Sequence, residues 1–344
     1  MSRLLRALVV DDSASMRAVI TRILEADGDI KVVGAAPDPF IARDLIKSLE
    51  PDVLTLDVEM PGMDGLSFLE RIMRLRPMPV IMCSTLTARG AEVTIEALRL
   101  GAVDCVCKPS GNAAEMEREG ERLRECVRAA AQSNVRPGPS PRAPIVQSTG
   151  SNTDSLIAVG ASTGGVEALF AMVGSLPPDS PPVLVVQHMP AGFTANFAAR
   201  LNSESAVRVV EAADGDMVAP GTVYIAPGGA CHMRVKLAAR PSIRLTSGDL
   251  VGGHRPAVDE LFRSLVPVAR QITGVLLTGM GQDGAAGLLA LRQAGARTLA
   301  QSAESCVVYG MPRAAVELGA VEQSIPIERM ADAVLRACAS RKDA

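Results

Sequence analysis

Tryptophan is absent from the 344-residue chain, and tyrosine and phenylalanine contribute only two and six residues. Aromatic platforms for stacking unpaired bases are therefore missing, which argues against a single-stranded nucleic-acid binder. An excess of positive charge is missing too. Lys+Arg 35 against Asp+Glu 38 leaves −3, without the basic footprint of a nucleic-acid partner or the polybasic block of an anionic-membrane binder. Apolar runs such as 183–186 and 275–277 fall far short of the roughly 18 residues that span a bilayer. The start of the chain does not read as a secretory signal, because Arg6 interrupts its apolar stretch and Asp11 and Asp12 follow at once. No Cys-x-x-Cys occurs, and seven cysteines leave one unpaired in any pairing scheme. Reduced thiols in a cytoplasmic protein are the expectation. Histidine is scarce: His188, His232 and His254 are all there are, so any imidazole chemistry must use one of them. No repeat of solenoid period is present.

What is present is ordinary globular composition, 48% apolar and 21% charged, over a length that suits about two domains. The composition breaks in the middle. Pro137, Pro139, Pro141 and Pro144 forbid a helix, and Gln147-Ser148-Thr149-Gly150-Ser151-Asn152-Thr153 follows them. The expected organisation is a first domain over 1–132, a flexible linker over 133–153 and a second domain over 154–344.

In the first half, β-rich apolar runs at 7–10, 32–34, 53–56, 80–83 and 105–107 alternate with helical periodicity at 16–25, 41–49, 66–75, 92–100 and 115–131. This alternation predicts an α/β domain, a doubly wound parallel sheet covered by helices, whose site lies at the carboxyl ends of its strands. Strand one runs into Asp11 and Asp12, strand three into Asp57, strand four into Ser84 and strand five into Lys108. One aspartate after a buried strand would say only that loops are polar. Five reactive residues on the expected strand ends say more. Three carboxylates at one edge repel each other unless a cation lies among them, and oxygen ligands without His or Cys favour Mg²⁺. With a lysine charge and a serine hydroxyl beside them, they make a phosphoryl pocket in which one carboxylate is the acceptor.

In the second half, Leu156-Ile157-Ala158-Val159 reads as a buried strand entering Gly160-Ala161-Ser162-Thr163-Gly164-Gly165 and then a helix at 166–173. The Gly-Lys-Ser/Thr of a phosphate loop is missing, so nucleotide binding is the weaker reading. Gly-x-Ser-x-Gly is matched, the turn that lifts a serine hydroxyl above a sheet edge beside a helix N-terminus. The serine needs a base. His188 ends the run at 183–187, and Asp283 follows the run at 275–277 through Thr278-Gly279-Met280-Gly281-Gln282. Ser162, His188 and Asp283 thus leave three strands at one edge of a second parallel sheet, expected to form a larger, doubly wound, Rossmann-like α/β domain, as nucleophile, base and orienting carboxylate. The order Ser162, then Asp214 or Asp216, then His232 or His254 is the alternative. Strand-end placement favours His188 with Asp283, since Asp214 and Asp216 lie in a turn-like stretch and His232 enters a strand-like one.

Two stretches of the chain carry a resemblance. Residues 4–130 resemble a response-regulator receiver through Val9-Val10-Asp11-Asp12-Ser13, Leu56-Asp57-Val58-Glu59-Met60-Pro61-Gly62-Met63-Asp64-Gly65 and Lys108-Pro109. This implies Asp57 as phospho-acceptor, Mg²⁺ held by Asp12, Asp57 and the Glu59 carbonyl with help from Asp11, and Lys108 and Ser84 on the phosphoryl oxygens; a one-residue shift would put Thr85 in place of Ser84. Residues 155–338 resemble the catalytic domain of the chemotaxis protein-glutamate methylesterases through 157–165, Val186-Gln187-His188-Met189-Pro190, Tyr224-Ile225-Ala226-Pro227-Gly228-Gly229, Gly253-His254-Arg255-Pro256-Ala257-Val258-Asp259 and 277–284. The resemblance implies Ser162 as nucleophile, His188 as base, Asp283 as its partner and the Met280 backbone N–H as oxyanion donor. It implies a structural or substrate-facing place for His254 and Arg255.

The expected activity is hydrolysis of glutamate methyl esters on methyl-accepting chemoreceptors, with deamidation of receptor glutamines beside it. A chemotaxis histidine kinase would be the phosphodonor, and the unphosphorylated receiver would hold the esterase in check. Mg²⁺ is expected only at the receiver, and ester hydrolysis needs no cofactor. Neither nucleic acid nor direct membrane insertion is expected. A receiver-linked binding protein would leave Ser162 unreactive. A DNA-binding partner domain would need a basic recognition helix, which 154–344 does not offer.

Overall fold

The computed structural model describes residues 3–60, 64–84, 88–135 and 155–339. The chain divides into two compact units, Met1–Pro139 and Ser140–Ala344. From residue 136 on, the expected linker lies outside the described residues, as does Thr85.

The first unit alternates β1 (Leu5–Val10), α1 (Ala14–Glu25), β2 (Ile30–Ala36), α2 (Pro39–Leu49), β3 (Val53–Asp57), α3 (Gly65–Leu75), β4 (Val80–Ser84), α4 (Ala88–Arg99), β5 (Asp104–Cys107) and α5 (Ala113–Ala131). The strands form one parallel sheet in the order β2-β1-β3-β4-β5. β3 and β4 are buried along their whole length, because helices cover both faces of a parallel sheet. Short polar residues start the helices. Ser13 Oγ accepts from Met16 N, Asp38 from Phe40 N and Ile41 N ahead of Pro39 in the first turn, and Asp64 from Ser67 N. Each satisfies donors that the helix itself leaves open. Asp57 and Ser84 are the last residues of their strands, not the first residues beyond them. The sheet thus reaches one residue further than the apolar runs do.

The second unit contains β6 (Leu156–Ala161), α6 (Gly165–Val173), β7 (Val183–Gln187), α7 (Phe193–Ser203), β8 (Arg208–Glu211), β9 (Thr222–Ile225), β10 (His232–Lys236), β11 (Ser242–Thr246), α8 (Val258–Leu265), a 3₁₀ turn (Val266–Gln271), β12 (Ile272–Leu276), α9 (Ala285–Gln293), β13 (Arg297–Gln301), α10 (Met311–Glu317), β14 (Gln323–Ile325) and α11 (Ile327–Ala339). Seven strands form a parallel sheet in the order β14-β13-β12-β6-β7-β9-β8. From β6 the chain first builds outward through β7, then returns to lay β12 on the other side of β6. That reversal makes a crevice at the carboxyl end of β6, the usual ligand position in an open α/β sheet. The antiparallel hairpin β10–β11 is an addition that strand–helix alternation did not announce. Its Met233, Val235 and Ile243 join Val258, Leu261 and Phe262 of α8 in the core, so the hairpin packs with α8.

Both expected α/β parallel-sheet domains are present. None of the seven cysteines is in a disulfide. Among the described residues, no helix is long and apolar enough to cross a membrane.

Candidate active site and receiver site

Ser162 is carried by the turn that leaves β6. The Gly-x-Ser-x-Gly spacing has physical causes here. A Cβ on Gly160 would lie 2.3 Å from Val258 Cγ1, and Gly164 adopts φ +76° with no room for a side chain against Val307. Ala161 pairs in register with Gln187 on β7, and His188 N donates to Ala161 O at 3.0 Å. Ser162 and His188 are therefore the next residues on two adjacent parallel strands, which lie about 4.8 Å apart. On the other side of β6, Ser162 N donates to Thr278 O at 3.0 Å. Gly279 approaches so closely that a Cβ on it would stand 2.7 Å from Ser162 Cβ. Gln187 ties the two strand ends together, donating from Nε2 to Ser162 O at 2.9 Å and to His188 O at 3.0 Å.

Asp283 arrives from beyond β12. His188 Nε2 and Asp283 Oδ2 are 2.9 Å apart, with side chains 7% and 2% exposed. The same carboxylate accepts Val258 N at 2.7 Å and Asp259 N at 3.0 Å, the first two amides of α8. Burial alone would push the Asp283 carboxyl up, yet it lies below the usual value, because the bond and charge of His188 and the two backbone amides outweigh desolvation. An ionised carboxylate only accepts, so Nε2 is a nitrogen that carries a proton, directed at Asp283. Nδ1 is buried and has no hydrogen-bond partner.

The Gly279–Met280 peptide is held by its oxygen, which accepts Gly310 N at 3.1 Å and Met311 N at 2.8 Å. In a trans peptide the N–H points the opposite way, so the Met280 N–H faces away from the start of α10. It has no acceptor among the described residues.

The carboxylates of the alternative arrangement are engaged elsewhere. Asp214 is spent on Arg244 at 2.9 Å and on Leu245 N, and Asp216 closes a turn on Ala213 N. His232 is 3% exposed. It accepts Ala257 N on Nδ1 at 3.2 Å and meets Asp249 O through Nε2 at 2.8 Å. Acceptor at one nitrogen and donor at the other, it is a neutral structural residue with no lone pair to offer.

Sequence reasoning passed over Gln187 and α8. A signal for α8 was present: its N-cap is Ala257, which offers no side-chain oxygen, so its first amides needed an acceptor from elsewhere in the chain.

At the receiver sheet edge, ligand oxygens of Asp11, Asp12 and Asp57 lie within 4.8 Å of one another. Lys108 Nζ stands 2.8 Å from Asp11 Oδ2 and 2.8 Å from Asp57 Oδ2. Asp57 Oδ1 accepts Glu59 N at 3.1 Å, and Asp11 Oδ1 accepts Ser13 N at 2.9 Å. Burial, with the Asp11 charge added, raises the Asp57 carboxyl above its ordinary value, although Lys108 and the Glu59 amide pull the other way. Burial would lower Lys108, but the two carboxylates raise it. Ser84 is buried at the end of β4 beside this edge, its carbonyl accepting Lys108 N at 2.9 Å. Three hard oxygen donors against one ammonium fit a divalent cation of the Mg²⁺ type.

Comparison with known proteins finds relatives for both units. Residues 157–334 match the family model described as CheB methylesterase, and residues 7–118 match the response regulator receiver domain. The protein-glutamate methylesterase/protein-glutamine glutaminase 1 of Caulobacter vibrioides is 51% identical over 98% of this chain and 99% of its own. The enzyme of the same name from Rhizobium johnstonii is 51% identical over 100% and 99%. Among solved structures, the Thermotoga maritima CheB methylesterase catalytic domain is 37% identical, covering 53% of this chain and 97% of its own with a TM-score of 0.52. A serine turn, an imidazole and a buried carboxylate at one switch point, behind a receiver and under full-length similarity of this order, make the chain a member of the CheB methylesterase family.

Proposed function

We propose that the chain is a protein-glutamate methylesterase and protein-glutamine glutaminase acting on chemoreceptors, with Ser162 as nucleophile. The observation that carries this reading is the 2.9 Å pair of His188 and Asp283 on the strand beside Ser162. Ser162 Oγ attacks the γ-carbonyl of a receptor glutamate methyl ester, and His188 Nδ1 takes the hydroxyl proton. Asp283, ionised at the start of α8, steadies the imidazolium through Nε2–H. The carbonyl oxygen gains negative charge, for which the Met280 N–H is the donor. The ester C–O bond breaks, and methanol leaves with the proton from His188. Water then enters, gives its proton to His188 and cleaves the acyl-serine, returning a receptor glutamate. A glutamine side chain follows the same steps with ammonia as leaving group. Base and oxyanion donor each contribute on the order of 10²–10³-fold to such a reaction.

In the receiver, Asp57 accepts a phosphoryl group from a chemotaxis histidine kinase, with Lys108 and Ser84 on the phosphoryl oxygens. Asp11, Asp12, Asp57 and the Glu59 carbonyl would hold Mg²⁺, which when bound neutralises charge between the carboxylates and the incoming group. The phosphoryl group adds roughly −1.5 to −2 charge at that edge and raises esterase activity, which gives sensory adaptation.

The test is methanol release from methylated receptor membranes, with and without a small-molecule phosphodonor. Ser162→Ala abolishes release. Asp57→Asn leaves basal release in place and removes the response to the phosphodonor. Retention of most methanol release by Ser162→Ala would refute the assignment of the nucleophile.

A further inference from the structure

The hydrogen bond from His188 to Asp283 fixes one end of the imidazole and leaves its plane unset. The terminal torsion of a histidine is broad, so the side chain alone does not choose a plane. A flat neighbour can choose it, and one is present. The rings of His188 and His254 stack with centroids 3.8 Å apart and planes 8° from parallel.

The backbone around His254 is built to hold it there. Val251 and His254 exchange both backbone hydrogen bonds, at 3.1 and 3.0 Å, across a two-residue turn. The turn residues, Gly252 and Gly253, have φ of +59° and +84°. A Cβ on either would meet nothing within 4 Å. These glycines therefore serve the backbone conformation, the type I′ geometry that needs positive φ at both positions. On the other side, Arg255 is anchored by its guanidinium, Nε to Gly229 O at 2.7 Å and an Nη to Gly248 O at 2.6 Å. His254 is thus clamped by a tight turn before it and an anchored arginine after it, with its ring laid flat on the imidazole that bonds Asp283.

We propose that His254 is a positioning residue. Its ring sets the plane of His188 and so aims the Nδ1 lone pair at the Ser162 proton. This rests on the reading of His188 as the base. The stack matters because no protein hydrogen bond holds Nδ1 itself, so a swing of the ring plane about Cβ–Cγ carries it off its line. Displacement of a reacting group by about 1 Å costs on the order of 10²-fold in rate.

The test compares His254→Ala, His254→Leu and His254→Phe in the full-length protein with methylated receptor membranes as substrate. His254→Ala and His254→Leu should lower kcat by roughly 10- to 100-fold, with KM changed far less. His254→Phe, flat but without ring nitrogens, should recover most of the lost kcat. The downfield proton resonance of His188 Nε2–H, assigned by its loss in His188→Ala, should broaden in His254→Leu and stay sharp in His254→Phe. Either non-planar variant carries the comparison if the other does not fold. Unchanged kcat in the non-planar variants overturns the proposal. So does a rise in KM alone, which would make His254 a substrate contact, or a His254→Phe protein as slow as His254→Leu. A parallel Ser162→Ala measurement separates the two readings. An inactive Ser162→Ala beside a fully active His254→Leu removes only the positioning role, whereas an active Ser162→Ala removes the hydrolase reading beneath it.

Discussion

Asp283 accepts the backbone amide of Val258 at 2.7 Å with the same oxygen that meets His188. One carboxylate therefore serves as the missing cap of α8 and as the anchor of the imidazole. Asp283→Asn puts a donor where only acceptors fit. It leaves amides of α8 poorly satisfied and permits the wrong imidazole tautomer. We expect kcat for methanol release to fall by about 10⁴-fold and stability at neutral pH to fall by about 1–3 kcal/mol. The pH dependence has a definite sign. The folded carboxyl lies below its unfolded value, which is near 3.9. Its stabilisation is fully present above that value and is lost as pH falls through the folded one. The gap between the urea midpoints of wild type and Asp283→Asn should shrink as pH falls below about 4. A gap that widens below that pH would show that the carboxylate is not held ionised.

Gly279 is a second point at which packing and chemistry meet. An added methyl would stand 2.7 Å from Ser162 Cβ, 3.1 Å from Ser162 N and 2.3 Å from Met311 Sδ. The methionine can yield, because its side chain is flexible. The backbone of Ser162 cannot, since its amide is tied to Thr278 O and its carbonyl to Gln187 and Gly165. Gly279→Ala should therefore displace the serine and lower kcat by about 100-fold or more, with the protein still folded by circular dichroism. Wild-type methanol release in this variant would mean that the turn has more freedom than these contacts allow.

The strand ends were legible in the sequence because buried parallel strands read as apolar runs, and the polar residue that stops each run marks the sheet edge. That is why Asp11, Asp57, Lys108, Ser162 and His188 could be placed before any coordinates. The choice among histidines was less secure. His232 also adjoins a strand-like run, and only its bonds to Ala257 N and Asp249 O show it to be locked and neutral. The stack of His254 on His188 was out of reach, because it depends on where a two-glycine turn returns the chain 66 positions later in the sequence (254 − 188). Of the hairpin β10–β11, only the first strand was read, as the run that His232 enters, and its pairing with β11 was missed for a related reason. Its alternation is ordinary, but its packing with α8 is a tertiary fact. The short capping residues Ser13, Asp38 and Asp64 lie at the other extreme, since each acts within three positions of itself.

At the receiver edge, burial and the Asp11 charge hold the Asp57 carboxyl above its unfolded value. The contribution of this group to stability is therefore fullest below the unfolded value near 3.9 and is lost as pH rises through the folded one. At neutral pH the metal-free receiver carries that penalty, and a divalent cation among Asp11, Asp12 and Asp57 would relieve it. In calorimetry of the full-length protein at pH 7.5, the receiver transition of wild type should move upward with Mg²⁺, by about 2.7 kcal/mol at 100 times the dissociation constant, and return with EDTA. Asp57→Asn removes the buried charge together with a ligand. Its transition in EDTA should therefore lie at or above that of wild type and should respond little to Mg²⁺. Equal Mg²⁺ responses in the two proteins would place the cation elsewhere. A marked loss of stability in Asp57→Asn would mean that the Lys108 ion pair outweighs the burial of the carboxylate.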